Sequence, residues 1–223
     1  MATPLDLQEQ EQLDDIKAFW KTYGNLITWV LIAAMAAYGA WNGWQWYQRD
    51  QGQKAAAMFD ELDRAVSTGD AERAARVFGD LRSRYAGTAW AAQGGLATAK
   101  LQFEKGQADA ARTALAWVAE QAGQDELRAI ARLRLSALDL EARKYAEALA
   151  HLDAIKVEAF QALAADRRGD VLAAQGKLPE AKAAYQSAYT AMGDKTDFRR
   201  IVEAKLTALG AAPAAAAASE AAK

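Results

Sequence analysis

The chain contains 223 residues, with a formal net charge of −2 at pH 7 and no cysteine. This nearly balanced charge gives no basic surface for nucleic acid, and the lack of thiols excludes disulfides and thiolate metal sites. Ala, Leu, Glu, Arg and Lys dominate the second half of the sequence, and that composition predicts an all-α fold without a sheet.

Residues 1–24 form a lead segment in which acidic side chains outnumber basic ones. Its apolar side chains recur at three- and four-residue steps, which predicts a short amphipathic helix. The stripe consists of Leu13, Ile16, Phe19, Trp20 and Tyr23. We interpret this helix either as an interfacial lead-in to the next segment or as a docking surface on the cytoplasmic side.

No charged side chain occurs from Thr22 to Gln48, and residues 25–47 are predicted to form a transmembrane helix. Tryptophan and tyrosine cluster at both ends of this run, as at a lipid–water interface. Five central aliphatic residues favour insertion by roughly 2 kcal/mol in total. They are Leu26, Ile27, Val30, Leu31 and Ile32.

A cleaved signal peptide and a buried helix of a soluble domain are the alternatives to a membrane span. A signal peptide needs a basic start and a small-residue cleavage site, whereas this run follows an acidic lead and ends in tryptophans. A buried helix of this length in a soluble domain usually carries a charged side chain on at least one face, and this run carries none. The sequence therefore favours a protein anchored in a membrane by one span.

Within the span, small residues recur on one face at Ala36, Gly39 and Gly43. Such a face lets a neighbouring helix approach closely in lipid. Chance spacing in an alanine- and glycine-rich span is the alternative. Our hypothesis is that these three residues mark a helix-packing site.

Residues 48–209 are predicted to form one repeat domain, because four similar segments follow one another there. Equivalent alanines are separated by 37, 37 and 33 residues, which indicates an array of helical units. In each unit a turn residue is followed by a small and then a large apolar residue. The predicted packing positions are Gly69, Ala74, Phe78, Gly106, Ala111, Leu115, Ala148, Leu152, Gly176, Ala181 and Tyr185, with Gly169 in the first helix of the fourth unit.

These residue types predict a helical hairpin in each unit. The turn glycine adopts positive φ, the alanine lets the second helix approach the first, and the large residue fills the gap on the same face. One hairpin cannot bury its face alone, so the units must stack. The pattern resembles the tetratricopeptide repeat and departs from it at Arg143, which replaces the turn glycine, and around residues 55–66, where the first helix is weakly marked.

We expect about four units, with the outer two degenerate, and a capping helix near residues 195–209. The tail at residues 210–223 is rich in alanine and proline and has nothing large to bury, so it is predicted to be disordered.

No arrangement in the sequence indicates catalysis. His151 is the single histidine and is predicted to be an ordinary helix-surface residue, because a catalytic base needs a positioned partner. Gly94 and Gly95 are predicted to pack helices, since no strand or third glycine makes them a phosphate loop. The sequence predicts neither an enzyme nor a cofactor or metal site. The arginines predicted to lie on a solvated face are Arg132, Arg134, Arg167 and Arg168.

The lead from Glu11 to Gly24, the span directly after it and the alanine-rich repeats together resemble the YfgM-type ancillary subunits of the bacterial Sec translocon. The run from Leu133 to Leu149 is the most telling part of the repeats. The resemblance implies a single-pass inner-membrane protein with a cytoplasmic N-terminus and a periplasmic repeat domain. The flanking Lys and Arg residues do not decide that topology.

The same resemblance implies the partners. They are the Sec translocon, a PpiD-like membrane-anchored chaperone, client polypeptides handed to periplasmic chaperones, and a cytoplasmic regulator at the N-terminus. The expected mechanism is binding without chemistry, in which the first helices of the repeats line a groove for client segments. The alternative is a structural scaffold of an envelope complex, which would bind one folded partner tightly rather than many unfolded chains weakly.

Overall fold

The computed structural model describes residues 7–192 and 197–211. These residues form nine α-helices and no strand, which confirms the predicted all-α fold. The helices are α1 (Leu7–Ser67), α2 (Ala71–Arg84), α3 (Ala89–Glu104), α4 (Ala108–Gln121), α5 (Asp125–Glu141), α6 (Tyr145–Asp153), α7 (Gln161–Ala174), α8 (Leu178–Ala191) and α9 (Asp197–Ala208), with a 3-10 turn at Glu158–Phe160.

The first of two compact units ends at Gln51 and contains the N-terminal part of α1. Its polar side chains bond within the helix, because Thr28 Oγ1 donates to the Gly24 carbonyl at 2.8 Å and Asn42 Nδ2 donates to the Tyr38 carbonyl at 2.9 Å. A helix in hydrocarbon requires such internal partners. By length and composition α1 is able to cross a membrane.

Domain boundaries predicted inside α1 coincide with no helix end, because the helix continues unbroken through residues 24–25 and 47–48 over its 61 residues. The boundaries of the lead and the span therefore stay predictions. The predicted disorder of the tail concerns residues that lie almost wholly outside the described part, which ends at Ala211.

The second unit begins at Gly52 and is a stack of helical hairpins. The C-terminal part of α1 packs with α2, α3 with α4, α5 with α6, and α7 with α8, and α9 covers α8. First helices of neighbouring hairpins also touch, since α5 contacts both α3 and α7. Within the described residues, four hairpins and a terminal helix thus confirm the predicted tetratricopeptide-like solenoid.

A left-handed residue closes the first helix of every hairpin. Gly69, Gly106 and Gly176 have φ of 71°, 76° and 77°, and Arg143 adopts the same conformation at 58°. The next residue donates to the carbonyl five positions back, as Lys144 does to Asp139 at 2.7 Å. Arg143 therefore serves as the turn residue of the third hairpin despite its Cβ.

Small and large side chains alternate along the hairpin interfaces. Ala74, Ala111, Ala148 and Ala181 are all fully buried at 0% exposure. The large residues four positions later are at most 4% exposed, and they are Phe78, Leu115, Leu152 and Tyr185. In the fourth hairpin, a Cβ added to Gly169 would lie 2.4 Å from the Tyr185 ring. Each hairpin is thus closed by a close approach between its helices.

The shorter final step of the repeat comes mainly from α7, which has 14 residues, whereas the first helices α3 and α5 have 16 and 17. The second helix of the third hairpin, α6, has only nine residues. A longer connection containing the 3-10 turn follows it and offsets most of that difference. The step from Ala148 to Ala181 therefore shortens without changing the packing positions.

We predict that Ala148→Leu lowers the free energy of unfolding of the repeat domain by about 1 to 3 kcal/mol, because it forces methylenes into a packed contact. Ala150 is exposed on the same helix, so Ala150→Leu should stay within about 0.5 kcal/mol of the parent. Denaturant unfolding of residues 52–223 measures both values. Equal costs would show that the hairpin register is wrong.

Arg143→Gly should raise the free energy of unfolding by about 0.5 to 1 kcal/mol, because glycine removes the steric cost of the left-handed backbone. Ala142 precedes it with an ordinary φ of −78°, so Ala142→Gly should lower the value by about the same amount. Thermal unfolding of both variants is the measurement. A stability loss in Arg143→Gly would contradict the role given to the turn.

Candidate functional site

The helix face predicted to pack in the membrane is exposed in the described part of the chain. A Cβ added at Gly39 or Gly43 would meet nothing within 4 Å, and Ala36 is exposed one turn earlier. Large apolar side chains around the helix are exposed as well, among them Trp29 and Met35. The N-terminal unit therefore presents apolar surface around its circumference, and the packing site remains a hypothesis.

A groove opens between α3 and α5, the first helices of the second and third hairpins. It encloses about 300 Å³. The groove is open because several of the residues that line it are small, and α4 forms its floor between the two helices. The apolar lining consists of Ala99 and Phe103 from α3, Ala111 and Leu115 from α4, and Ala137 and Leu138 from α5.

Phe103 forms an unusual wall of the groove, because 43% of this large apolar residue is exposed to solvent. Most large apolar residues of the repeat domain are buried in the stack. A volume of 300 Å³ lies at the small end of ligand pockets. The groove thus suits one large side chain of a partner better than a bulky free ligand.

Charged side chains border this apolar lining. Lys100 Nζ lies 3.7 Å from Glu104 Oε1. Arg134 Nη1 donates to the Leu96 carbonyl at 3.0 Å, and no carboxylate lies within ion-pair distance of it in the described part of the chain. Burial lowers the pKa of Arg134 from its usual value. Arg134 is exposed, as the sequence predicted for a solvated face. It also borders the groove, because α5 packs beside α3.

Two of the other three arginines bond to a neighbouring helix or its end. Arg132 Nη1 donates to the Ala154 carbonyl at 2.8 Å, which ties α5 to the end of α6. Arg167 pairs with Asp170 on its own helix at 3.2 Å, and Arg168 pairs with Asp153 of α6. The side chains of Arg132 and Arg168 remain partly exposed, as predicted for a solvated face, and each also joins its helix to a neighbouring one.

Asp139 lies inside the third hairpin and is only 1% exposed. Its carboxylate accepts a hydrogen bond from Arg112 of α4. His151 of α6 places Nε2 3.3 Å from Asp139 Oδ2. The interpretation of His151 as an ordinary surface residue is thus wrong, since the packing of α6 against α5 brings its imidazole to a buried carboxylate.

A second buried network holds the terminal helix. Asp166 of α7 is fully buried, and Lys205 of α9 donates to it at 2.8 Å and to Asp170 at 2.6 Å. The Tyr185 hydroxyl donates to Asp170 at 2.8 Å. Burial raises the pKa of Asp166, and the Lys205 ammonium opposes that rise. Two aspartates one turn apart in a packed helix were the sequence signal for this network.

The remaining candidates for chemistry are structural. A Cβ at Gly95 would lie 2.5 Å from Val118 Cγ2, so this glycine permits a close helix contact. Among the described residues, no group of three or more His, Asp or Glu side chains is placed to hold a metal ion. This glycine and the buried polar groups therefore support the packing of the helices.

Comparison with known proteins agrees with this architecture. The family model of the tetratricopeptide repeat-like domain matches residues 17–211. An ancillary SecYEG translocon subunit of Neisseria gonorrhoeae is 32% identical over 204 residues, which cover 91% of this chain and 98% of that protein. The chain belongs to this family of tetratricopeptide-like ancillary translocon subunits.

Other relatives carry the same name. The ancillary SecYEG translocon subunit of Haemophilus influenzae is 29% identical, over 82% of this chain and 89% of that protein. The one from Escherichia coli is 28% identical, over 80% of this chain and 86% of that protein. The similarity thus extends through the apolar part of α1 and the repeats together, and it confirms the family resemblance seen in the sequence.

We predict that the imidazole of His151 titrates below pH 6.5, because burial lowers its pKa, with the Arg112 and Arg132 charges adding to the effect and Asp139 opposing it. The folded state then binds this proton less readily than the unfolded state, so stability falls as the pH drops from about 6.5 toward the folded pKa. NMR of the single histidine gives the midpoint directly.

Arg112→Gln is the informative variant for this titration. It removes one cation and keeps a hydrogen-bond donor for Asp139, so the His151 midpoint should rise. A parent midpoint at or above about 6.5, or no rise in the variant, would contradict the contact between these side chains.

Proposed function

We propose that this chain is a non-enzymatic, membrane-anchored subunit that associates with the SecYEG translocon and binds polypeptide segments in the groove between α3 and α5. The observation that carries the proposal is the presence, in one chain, of an exposed apolar helix and an open apolar groove. The names of the relatives supply the translocon as partner.

The apolar part of α1 supports anchoring in a membrane. Trp29, Val30 and Leu31 are 64%, 59% and 58% exposed, which is costly in water and favourable in hydrocarbon. The small residues Ala36, Gly39 and Gly43 would let a helix of the translocon approach α1. In this arrangement the lipid covers the large side chains and the partner covers the small ones.

The proposed topology places the N-terminus in the cytoplasm and the repeat domain in the periplasm of a bacterial inner membrane. Family resemblance supports this topology. The same resemblance supports a PpiD-like chaperone as a second partner and the transfer of clients to periplasmic chaperones. The exposed stripe that includes Ile16 and Phe19 would be available to a cytoplasmic regulator.

The size of the groove supports weak and reversible client binding. One buried Leu or Phe side chain contributes about 1.5 to 3 kcal/mol, and a dissociation constant of 1 mM corresponds to about 4 kcal/mol. A single anchor therefore gives fast exchange unless further contacts add to it. Transient contact of this kind suits a protein that passes segments onward and needs no chemical step.

Photo-crosslinking in intact membranes tests both halves of the proposal. A photoreactive residue at Gly39 should give a discrete adduct with a translocon subunit. At Phe103 it should give a range of adducts with newly made polypeptides. Mass spectrometry of the adducts identifies each partner.

Two exposed positions provide matched controls. Ala37 lies about 200° around the helix from Gly39, so it should give far less translocon adduct. Ala150, exposed on α6 away from the groove, should give few client adducts. No translocon adduct from either span position would contradict the association, and one discrete adduct at Phe103 would favour a scaffold with a single folded partner.

A further inference from the structure

Two charged side chains without an oppositely charged partner among the described residues lie on the helix face that borders the groove. Arg134 and Glu141 both line it and both belong to α5. In the described part of the chain neither side chain has an oppositely charged partner, whereas Lys100 on the opposite wall pairs with Glu104. The groove is thus apolar in the middle, with an unpaired cation and an unpaired anion on one wall.

Helix geometry fixes the spacing of these two residues along the backbone. Seven residues correspond to two turns, so Arg134 and Glu141 share one face and are separated by roughly 10.5 Å along α5. Ala137 and Leu138 lie between them and line the apolar part of the groove. Along the chain, this wall therefore presents a cation, then an apolar surface, and then an anion.

We infer that the groove recognises a helical polypeptide segment in which a large apolar residue lies between an acidic residue, which meets Arg134, and a basic residue, which meets Glu141. This inference rests on the proposed function and names the segment that the groove selects. Phe103 is the apolar wall against which the central residue packs.

Spacing favours a helix over an extended strand as the bound form. Same-face residues of a strand recur about every 6.6 Å, at about 6.6 and 13 Å, whereas residues i and i+7 of a helix are about 10.5 Å apart. An apolar residue at i+4 of such a helix falls between the two charges on the same face. A third helix seated along α3 and α5 is the helix-in-groove mode of peptide recognition.

Charge order gives the bound segment a direction. An acidic residue at the Glu141 end and a basic one at the Arg134 end would place like charges together. Exposed ion pairs are weak, so each correct pair should change affinity by a few fold, up to about fivefold. The central apolar residue should account for a larger part, about tenfold or more.

The test uses the full chain in lipid nanodiscs and four fluorescent 15-residue peptides on an alanine-rich helical host. The first peptide carries Glu, Phe and Lys at relative positions i, i+4 and i+7. The second replaces Lys with Glu, so that one like-charge contact remains in either orientation of the helix. The third replaces Phe with Ser, and the fourth keeps the side chains of the first but has central prolines that prevent a helix. Fluorescence anisotropy gives the affinities.

The parent protein should bind the first peptide about fivefold more tightly than the second, and at least about tenfold more tightly than the third. The fourth should bind no better than the third. The variant Glu141→Arg should reverse the preference between the first two peptides, because both wall charges are then cationic. Arg128→Glu is the control, because Arg128 lies on α5, pairs with Asp125 and does not line the groove; it should leave the preference unchanged.

The outcomes distinguish this inference from the proposed binding of polypeptides in the groove. Equal binding of the first two peptides, with loss of binding for the third, would contradict recognition by charge. Binding in the apolar groove would still be supported. Equal binding of the fourth and first peptides would overturn the helical form. If the first and third peptides bind alike, and Ala137→Leu in the groove leaves peptide affinity unchanged, the groove is not a binding site. The inference is then wrong as well.

Discussion

The close approach of two helices at one small residue is the constraint on which the repeat domain depends. Ala111 shows it, because this alanine is fully buried in α4 and is followed on the same face by Leu115, which is 3% exposed. Both residues also form the floor of the groove. The same contact that closes the second hairpin therefore shapes the surface that is available to a partner.

Buried charges add direction to this packing. Asp139 and Asp166 lie inside first helices, and their cations come from other helices, Arg112 of α4 and Lys205 of α9. Buried ion pairs contribute little net stability because desolvation opposes the attraction, but removing one partner is costly. These two networks thus favour one order of stacking, and the second of them holds the terminal helix in place.

The chain uses apolar side chains in two different solvents. In the repeat domain large residues such as Leu62 and Leu81 are fully buried against other helices, and water drives that burial. In the N-terminal unit Trp29 and Val30 are exposed, because lipid rather than protein is suited to cover them. The groove is an intermediate case, in which Phe103 stays exposed in a water-facing domain and so marks a place where a partner is expected.

Sequence periodicity determined the helical class, the repeat positions and the apolar run, because helix pitch and turn conformation are local properties that residue types encode directly. Arg143 shows the reach of that reasoning, since the register assigned it to a turn position that the backbone then adopts with positive φ. Long-range pairing was different. The contacts of Asp139 with Arg112 and of Asp166 with Lys205 join residues 27 and 39 positions apart, and neither composition nor spacing indicates which charges will meet. Only the tertiary structure decided that His151 faces a carboxylate and that Arg134 borders a groove. The first depends on how α6 folds back on α5, and the second on how the third hairpin stacks on the second.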